Sequence, residues 1–145
     1  MNAGDLYFVD TNILLYAVDG KDTRKRTVAQ SWLDKLWQHG SGRISWQVLH
    51  EYYVNAVGKM NVPEPAARQT VETLAVWRPV DSSLGLVQTA WQCMDEVNVS
   101  YWDALVIAAA QRTGCQWLLS EDFQNGRSIG GLTVLDPFSH GGPKR

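Results

Sequence analysis

Short apolar runs alternate along the chain with segments of helical periodicity. Five runs have the length of buried strands: residues 6–9, 43–46, 75–80, 116–120 and 132–135. Helices are predicted between them, at residues 12–17, 23–39, 47–60, 65–74, 83–97 and 100–114. Because neighbouring parallel strands need helical crossovers, this order predicts an α/β fold with a central parallel β-sheet flanked by α-helices.

The chain has 145 residues, enough for one domain whose core needs no disulfide or structural metal. We assign residues 1–140 to that domain and expect residues 141–145 to be a disordered tail. The two cysteines, Cys93 and Cys115, lack the CxxC spacing of zinc and redox sites. The apolar run at 13–18 is too short for a signal peptide or a membrane span. A cytoplasmic protein with no membrane association is therefore expected.

Two acidic residues follow predicted strands directly. Asp10 ends the first strand and precedes Thr11 and Asn12, and Asp122 comes shortly after Ser120 at the end of the fourth strand. The carboxyl ends of parallel strands are where open α/β sheets build their sites. Each acid also has a purely structural interpretation, as a helix cap or a turn residue, and Asn125-Gly126 is itself a turn signal.

Two further acidic residues lie on predicted helices. Glu51 falls on the edge of an apolar helix face, where a solvent-exposed flanking residue is the simpler interpretation. Asp103 lies three residues after the capping Ser100, so an N-terminal capping arrangement would also explain it. The helix that Asp103 enters is apolar on all sides, however, and a carboxylate there needs a partner.

Four carboxylates at one edge of a sheet would repel one another unless cations neutralise them. Carboxylate oxygens without histidine or cysteine ligands suit Mg²⁺ or Mn²⁺. Such an ion can generate a hydroxide nucleophile, orient a scissile phosphate and stabilise the leaving oxygen. The pattern therefore favours metal-dependent chemistry on a phosphate ester.

The sequence resembles the PIN-domain ribonucleases, and within them the VapC toxins of toxin-antitoxin pairs. The resemblance extends from about residue 6 to residue 138. Its motifs, in order, are Phe8-Val-Asp10-Thr-Asn12, Leu49-His-Glu51-Tyr, Tyr101-Trp-Asp103-Ala-Leu, Leu119-Ser-Glu-Asp122-Phe and Leu135-Asp-Pro-Phe138.

The resemblance implies a Mg²⁺- or Mn²⁺-dependent endoribonuclease in which the acidic site is Asp10, Glu51, Asp103 and Asp122. Supporting roles are expected for Thr11, Asn12, Ser120 and Asn125. We expect Asp10 and Asp103 to be inner ligands of the principal metal. Glu51 and Asp122 would hold a second ion or the attacking water, and Glu121 competes with Asp122 for that role. The resemblance also implies RNA as substrate, a small VapB-type antitoxin as partner and a homodimer.

The surface that contacts RNA is less clear from the sequence. Basic residues are concentrated between positions 21 and 43, and the RNA-binding candidates among them are Arg24, Lys25, Arg26 and Arg43. A solvated helix face is the favoured interpretation of these residues, ahead of a role in steering phosphate groups. Trp46 and Trp102 lie close to acidic motifs and are candidates for stacking on bases, although core packing is the expectation for most of the seven tryptophans.

Two other classes of function stay open at this point. One is a noncatalytic RNA-binding or assembly module of the same fold. The other is a phosphotransfer domain, such as a receiver or an aspartyl phosphatase, which also places Asp at strand ends. A phosphatase would require a second Asp where Asn12 stands, and a receiver would require paired acids before its first strand motif and a Lys late in the chain; neither pattern is evident. The formal net charge of −2 and the pI near 5.9 argue against binding nucleic acid by bulk positive charge. Two bound divalent ions would reverse the sign of that charge.

Overall fold

A computed structural model describes residues 2–139 of the chain. The tail predicted at 141–145 lies outside these residues. Within them, a five-stranded sheet has the order β2-β1-β3-β5-β4, in which β4 alone is antiparallel to its neighbour. The strands are β1 (Tyr7–Val9), β2 (Gly42–Arg43), β3 (Trp117–Leu119), β4 (Ser128–Ile129) and β5 (Leu132–Leu135). The predicted α/β fold with a central parallel sheet is confirmed.

In the described residues, six α-helices connect and cover these strands. They are α1 (Thr11–Tyr16), α2 (Thr23–His39), α3 (Trp46–Gly58), α4 (Glu64–Leu74), α5 (Leu84–Glu96) and α6 (Tyr101–Arg112). Each corresponds to a predicted helix to within about two residues at either end. The side chains of Ser45, Ser83 and Ser100 each accept a hydrogen bond from a backbone N–H in the first turn of a helix, so local capping chemistry fixes three of the starts.

Both faces of the sheet are covered. Phe8 and Val9 in β1, and Leu118 and Leu119 in β3, are completely buried. Successive strand residues point to opposite faces, so burial of both members of each pair requires packing on both sides. Helix α6 is buried from Ala104 to Ala110 and packs along α5.

The strand predicted at 75–80 is wrong. Ala75–Trp77 form a 3₁₀ helix, and Val80 makes only an isolated bridge to Ser45. Arg78 between them has a φ of 54°, in the left-handed region that a strand cannot contain. Pro79 has no N–H to donate to a neighbouring strand, so this segment cannot continue the sheet.

Three smaller features also differ from what the sequence predicts. The second strand is only Gly42–Arg43, because α3 already begins at Trp46. The short strand β4 was not predicted, since two residues carry no periodicity; it pairs with β5 across a turn at Gly130 and Gly131, both with positive φ. Trp37, which follows the apolar pattern of α2, is 44% exposed.

Trp77 packs its indole ring directly over Gly42 in β2. A Cβ atom at Gly42 would lie 2.3 Å from Cη2 of Trp77, whose side chain is buried. We expect Gly42→Ala to lower the free energy of unfolding by about 1–3 kcal/mol, because the ring must move out of a packed position. Urea denaturation measures this. Gly20→Ala is the matched control, since no atom lies within 4 Å of its Cβ position; equal stability of the two variants would contradict the prediction.

Between residues 2 and 139 there is no helix long and apolar enough to cross a membrane.

Candidate active site

Asp10 lies at the carboxyl end of β1 and is only 6% exposed. Its backbone N–H donates to the carbonyl of Leu119 at the end of the neighbouring strand β3, at 3.0 Å. Its carboxylate caps α1: Oδ1 accepts from the backbone N–H of Thr11 at 2.8 Å, and Oδ2 accepts from the hydroxyl of Ser120 at 2.7 Å. The adjacent ends of two parallel strands therefore fix this carboxylate in the protein.

The environment of Asp10 resists its ionisation. Its pKa is raised from 3.8 to about 6, mainly by burial. The hydrogen bonds from Ser120 and Thr11 oppose this shift, whereas the negative charges of Asp122 and Glu51 add to it. Asp10 is thus a buried carboxylate that is under the influence of two other negative charges, which is an arrangement that a bound cation would stabilise.

Ser120 and Asn12 join the ends of β1 and β3. The Ser120 hydroxyl donates to Asp10 and accepts from the amide of Asn12 at 3.3 Å and from the backbone N–H of Asp122 at 3.1 Å. The side-chain oxygen of Asn12 accepts from the backbone N–H of Glu121 at 3.2 Å. The predicted supporting residues Thr11, Asn12 and Ser120 therefore all lie in one network around Asp10.

Glu51 lies on the exposed side of α3 and reaches the start of α1. Its Oε1 accepts from the Thr11 hydroxyl at 3.2 Å and from the Gln47 amide at 3.4 Å. The same Gln47 amide lies 3.5 Å from the carbonyl oxygen of Trp102 in the first turn of α6. Gln47 was not among the predicted site residues. Its position four residues before Glu51 on the same helix could have predicted that the two side chains are neighbours.

Asp103 lies in the first turn of α6, where its backbone N–H donates to the Ser100 hydroxyl at 3.1 Å. The structure brings this turn next to α3 through Gln47, but the Asp103 side chain makes no hydrogen bond to another predicted site residue within 2–139. The capping interpretation of Ser100 is thus correct, and it leaves the half-buried Asp103 carboxylate available.

The structure distinguishes the two neighbouring acids that follow β3. Asp122 is exposed, and its charge is among those that raise the pKa of Asp10. Glu121 instead accepts a hydrogen bond from the Tyr16 hydroxyl at 2.7 Å and forms an ion pair with Lys25. Of the two, only Asp122 is among the causes that raise the pKa of Asp10.

Among the described residues, the Asn125 side chain makes no hydrogen bond to the four predicted acids. Its side-chain oxygen accepts from the backbone N–H of Asp136 at 2.9 Å, which ties the loop after β3 to the segment after β5.

The predicted RNA-binding residues occupy two separate places. Arg24, Lys25 and Arg26 lie in the first turn of α2; Arg24 donates to the carbonyl of Phe138, and Lys25 pairs with Glu121 beside the acidic residues. Arg43 lies in β2, and its guanidinium donates to the carbonyl groups of Gly40 and Gly42, toward the amino end of the sheet. Arg43 therefore points away from the Asp10 edge.

The carboxylate oxygens of the predicted acids suit a hard divalent cation, but these carboxylates do not form a preassembled metal site. In the described part of the chain, no three His, Cys, Asp or Glu side chains form a preassembled metal cluster. Mg²⁺ commonly binds through one or two carboxylates and retains several waters. The buried Asp10 with two nearby carboxylates fits such a loosely ligated ion.

Solved structures of toxins share this fold. A toxin-antitoxin complex from Klebsiella pneumoniae is 19% identical, with a TM-score of 0.63 over 90% of this chain and 97% of that one. VapBC2 from Rickettsia felis, bound to a DNA fragment from its promoter, is 15% identical, with a TM-score of 0.59 over 89% and 96%. Mycobacterium tuberculosis VapC20, a sarcin-ricin loop cleaving toxin, is 21% identical, with a TM-score of 0.53 over 80% and 89%.

Comparison with curated protein sequences gives no significant match. The sequence model of the PIN domain, however, matches residues 7–124, which include β1, α6, β3 and all four predicted acidic residues. Since this match spans most of the chain, the protein belongs to the PIN-domain family.

Proposed function

We propose that this protein is a Mg²⁺- or Mn²⁺-dependent endoribonuclease that hydrolyses RNA phosphodiester bonds. The observation that carries the proposal is the buried Asp10 carboxylate at the carboxyl end of β1, whose pKa is raised in part by the negative charges of Asp122 and Glu51. Carboxylates are costly to bury and to bring together, so a site that does both is suited to binding a cation rather than to stability.

The residues of the acidic site would have different roles in orienting carboxylates and binding metal. Thr11 and Ser120 fix the orientation of Asp10 by donating to its two oxygens. Asp10 and Asp103 would ligate the principal ion, and Glu51 and Asp122 would hold a second ion or position the attacking water. The bound metal would supply Lewis acidity toward the phosphate and lower the pKa of the water nucleophile.

Phosphate groups of the RNA need a route past these negative charges. The first turn of α2 carries Arg24, Lys25 and Arg26 close to Glu121, and Lys25 has a raised pKa, chiefly through its hydrogen bond with Glu121. We propose this turn as the cationic border of the site, where the exposed Arg24 and the half-buried Arg26 attract the RNA backbone.

A noncatalytic RNA-binding or assembly module is the second candidate function. The observation that favours it is the lack of a preassembled cluster of three acids in the part of the chain that the structure describes. The two functions differ in one measurable property, which is whether added metal produces new RNA ends.

We further propose that the protein is the toxin of a type II toxin-antitoxin pair, acts in the cytoplasm and forms a homodimer. Two of the similar solved structures contain a toxin-antitoxin assembly. A groove of about 400 Å³ between α1, α2 and α4 is a suitable surface for the antitoxin. Leu14, Leu33 and Leu74 give this groove a partly apolar lining.

The deciding experiment incubates the purified protein with total cellular RNA in Mg²⁺, Mn²⁺ or EDTA and maps the new ends by sequencing. We expect discrete cleavage sites with either metal and none in EDTA. Addition of a copurifying small protein encoded beside the gene should suppress the cleavage. Intact RNA under all metal conditions would reject the nuclease and favour the noncatalytic module.

A further inference from the structure

A cleft of about 510 Å³ opens beside Glu51, between the first turns of α3 and α6. Its lining residues are Trp46, Gln47, His50, Glu51, Ser82 and Trp102. The volume falls within the range of about 300–1,000 Å³ that is typical of small-ligand sites. Because Glu51 belongs to both, the cleft is continuous with the acidic site.

Aromatic rings form much of the wall of this cleft. Trp102 is 65% exposed, although it immediately precedes Asp103 at the start of the most buried helix. Tyr101 meets its ring edge-on, with centroids 5.5 Å apart at 60°. On the opposite helix, the rings of Trp46 and His50 lie 6.0 Å apart at 31°. An indole that is held at its base and open on its outer face is a surface for stacking.

The charges around the cleft indicate which part of an RNA it can accept. Neither Lys nor Arg is among its lining residues, and Glu51 contributes a carboxylate. A phosphate group would be repelled there, whereas an uncharged base would not. Gln47, His50 and Ser82 offer hydrogen-bonding groups for a base edge. The cationic turn of α2 lies near Glu121 instead, so charge and aromatic surface are separated.

We propose that Trp102, together with the Trp46–His50 pair, forms a subsite for one unpaired nucleobase of the RNA, next to the phosphate held at the acidic site. This inference rests on the proposed nuclease function, because it names how that site recognises its substrate. Stacking on an aromatic side chain contributes about 1–3 kcal/mol per base and tolerates any base. Selection of single-stranded RNA follows, since a paired base cannot enter.

Binding is measured without cleavage, so that the subsite is tested separately from the nuclease activity. The probe is a short, fluorescein-labelled, single-stranded 2′-O-methyl RNA pool, followed by fluorescence anisotropy in Mg²⁺. We expect Trp102→Ala to weaken the Kd about tenfold, in line with the loss of one stacked base. Trp102→Phe keeps a ring and should stay within about threefold of wild type. Trp91→Ala is the matched control, because Trp91 is 51% exposed on α5 and does not line the cleft.

A wild-type Kd in Trp102→Ala, or equal weakening in Trp91→Ala, would overturn the subsite. So would dissociation of a dimer by Trp102→Ala in light scattering, because that result assigns the indole to a subunit interface. Weakened binding by a protein that cleaves no RNA would support the subsite while rejecting the nuclease. If the protein does cleave, the same variant should raise KM by a similar factor and leave kcat nearly unchanged.

Discussion

The Asp10→Asn variant is expected to cleave RNA about 10²- to 10³-fold more slowly than the wild-type protein in saturating Mg²⁺, because it loses several kcal/mol of charge stabilisation. Asparagine has the shape of aspartate, so the fold around Ser120 and Thr11 should persist. A loss of similar size is expected for Asp103→Asn. Single-turnover cleavage of a mapped RNA site measures both.

Asp95→Asn serves as the control for this substitution, since Asp95 is exposed on α5. It should cleave at the wild-type rate after the same purification. Asp122→Asn should slow cleavage more than Glu121→Gln does, because Glu121 is held by Tyr16 and Lys25. Equal rates for Asp10→Asn, Asp95→Asn and wild type would reject the assignment of the acidic site.

The pattern of the sequence was sufficient to place Asp10 and Ser120 together. Each lies at the end of a short apolar run, and parallel strands bring their carboxyl ends to one edge of the sheet. The alternation of strands and helices along the sequence therefore already implies the contact. Capping of α6 by Ser100 was equally local. Where a residue is positioned by its own neighbours in sequence, spacing alone is informative.

Other features of the site depend on contacts between distant segments. Lys25 and Tyr16, which bind Glu121 and not Asp122, lie about a hundred residues earlier in the chain. No local sequence pattern predicts the contacts of Glu121 with Lys25 and Tyr16. The failed strand at 75–80 has a related cause, because the left-handed backbone of Arg78 outweighs the apolar composition around it. Sequence reasoning therefore predicts contacts that follow from the order of strands and helices, such as that of Asp10 with Ser120, better than other contacts between distant segments.

Removal of divalent metal is expected to make the stability of the protein depend on pH through Asp10. The folded-state pKa of about 6 exceeds the ordinary value of 3.8, so folding favours the protonated carboxyl. Well below pH 3.8 the Asp10 carboxyl is protonated in both the folded and the unfolded state, so it does not lower the free energy of unfolding. As the pH rises toward 6, the unfolded state loses its proton first, and stability falls. Between pH 4 and pH 7.5 the loss amounts to about 2–3 kcal/mol.

Comparison with Asp10→Asn isolates this contribution, because the amide does not titrate in this range. Urea denaturation in EDTA should show that wild type loses about 2–3 kcal/mol relative to the variant between pH 4 and pH 7.5. At pH 7.5, Mg²⁺ at a hundredfold excess over its Kd should raise the free energy of unfolding of the wild-type protein by about 2.7 kcal/mol. The free energy of unfolding of Asp10→Asn should stay unchanged. A pH-independent difference between the two proteins would show that Asp10 titrates normally. In that case Asp10 would not be the carboxylate that a bound cation stabilises. The cation site would then have to be centred on Glu51 and Asp103.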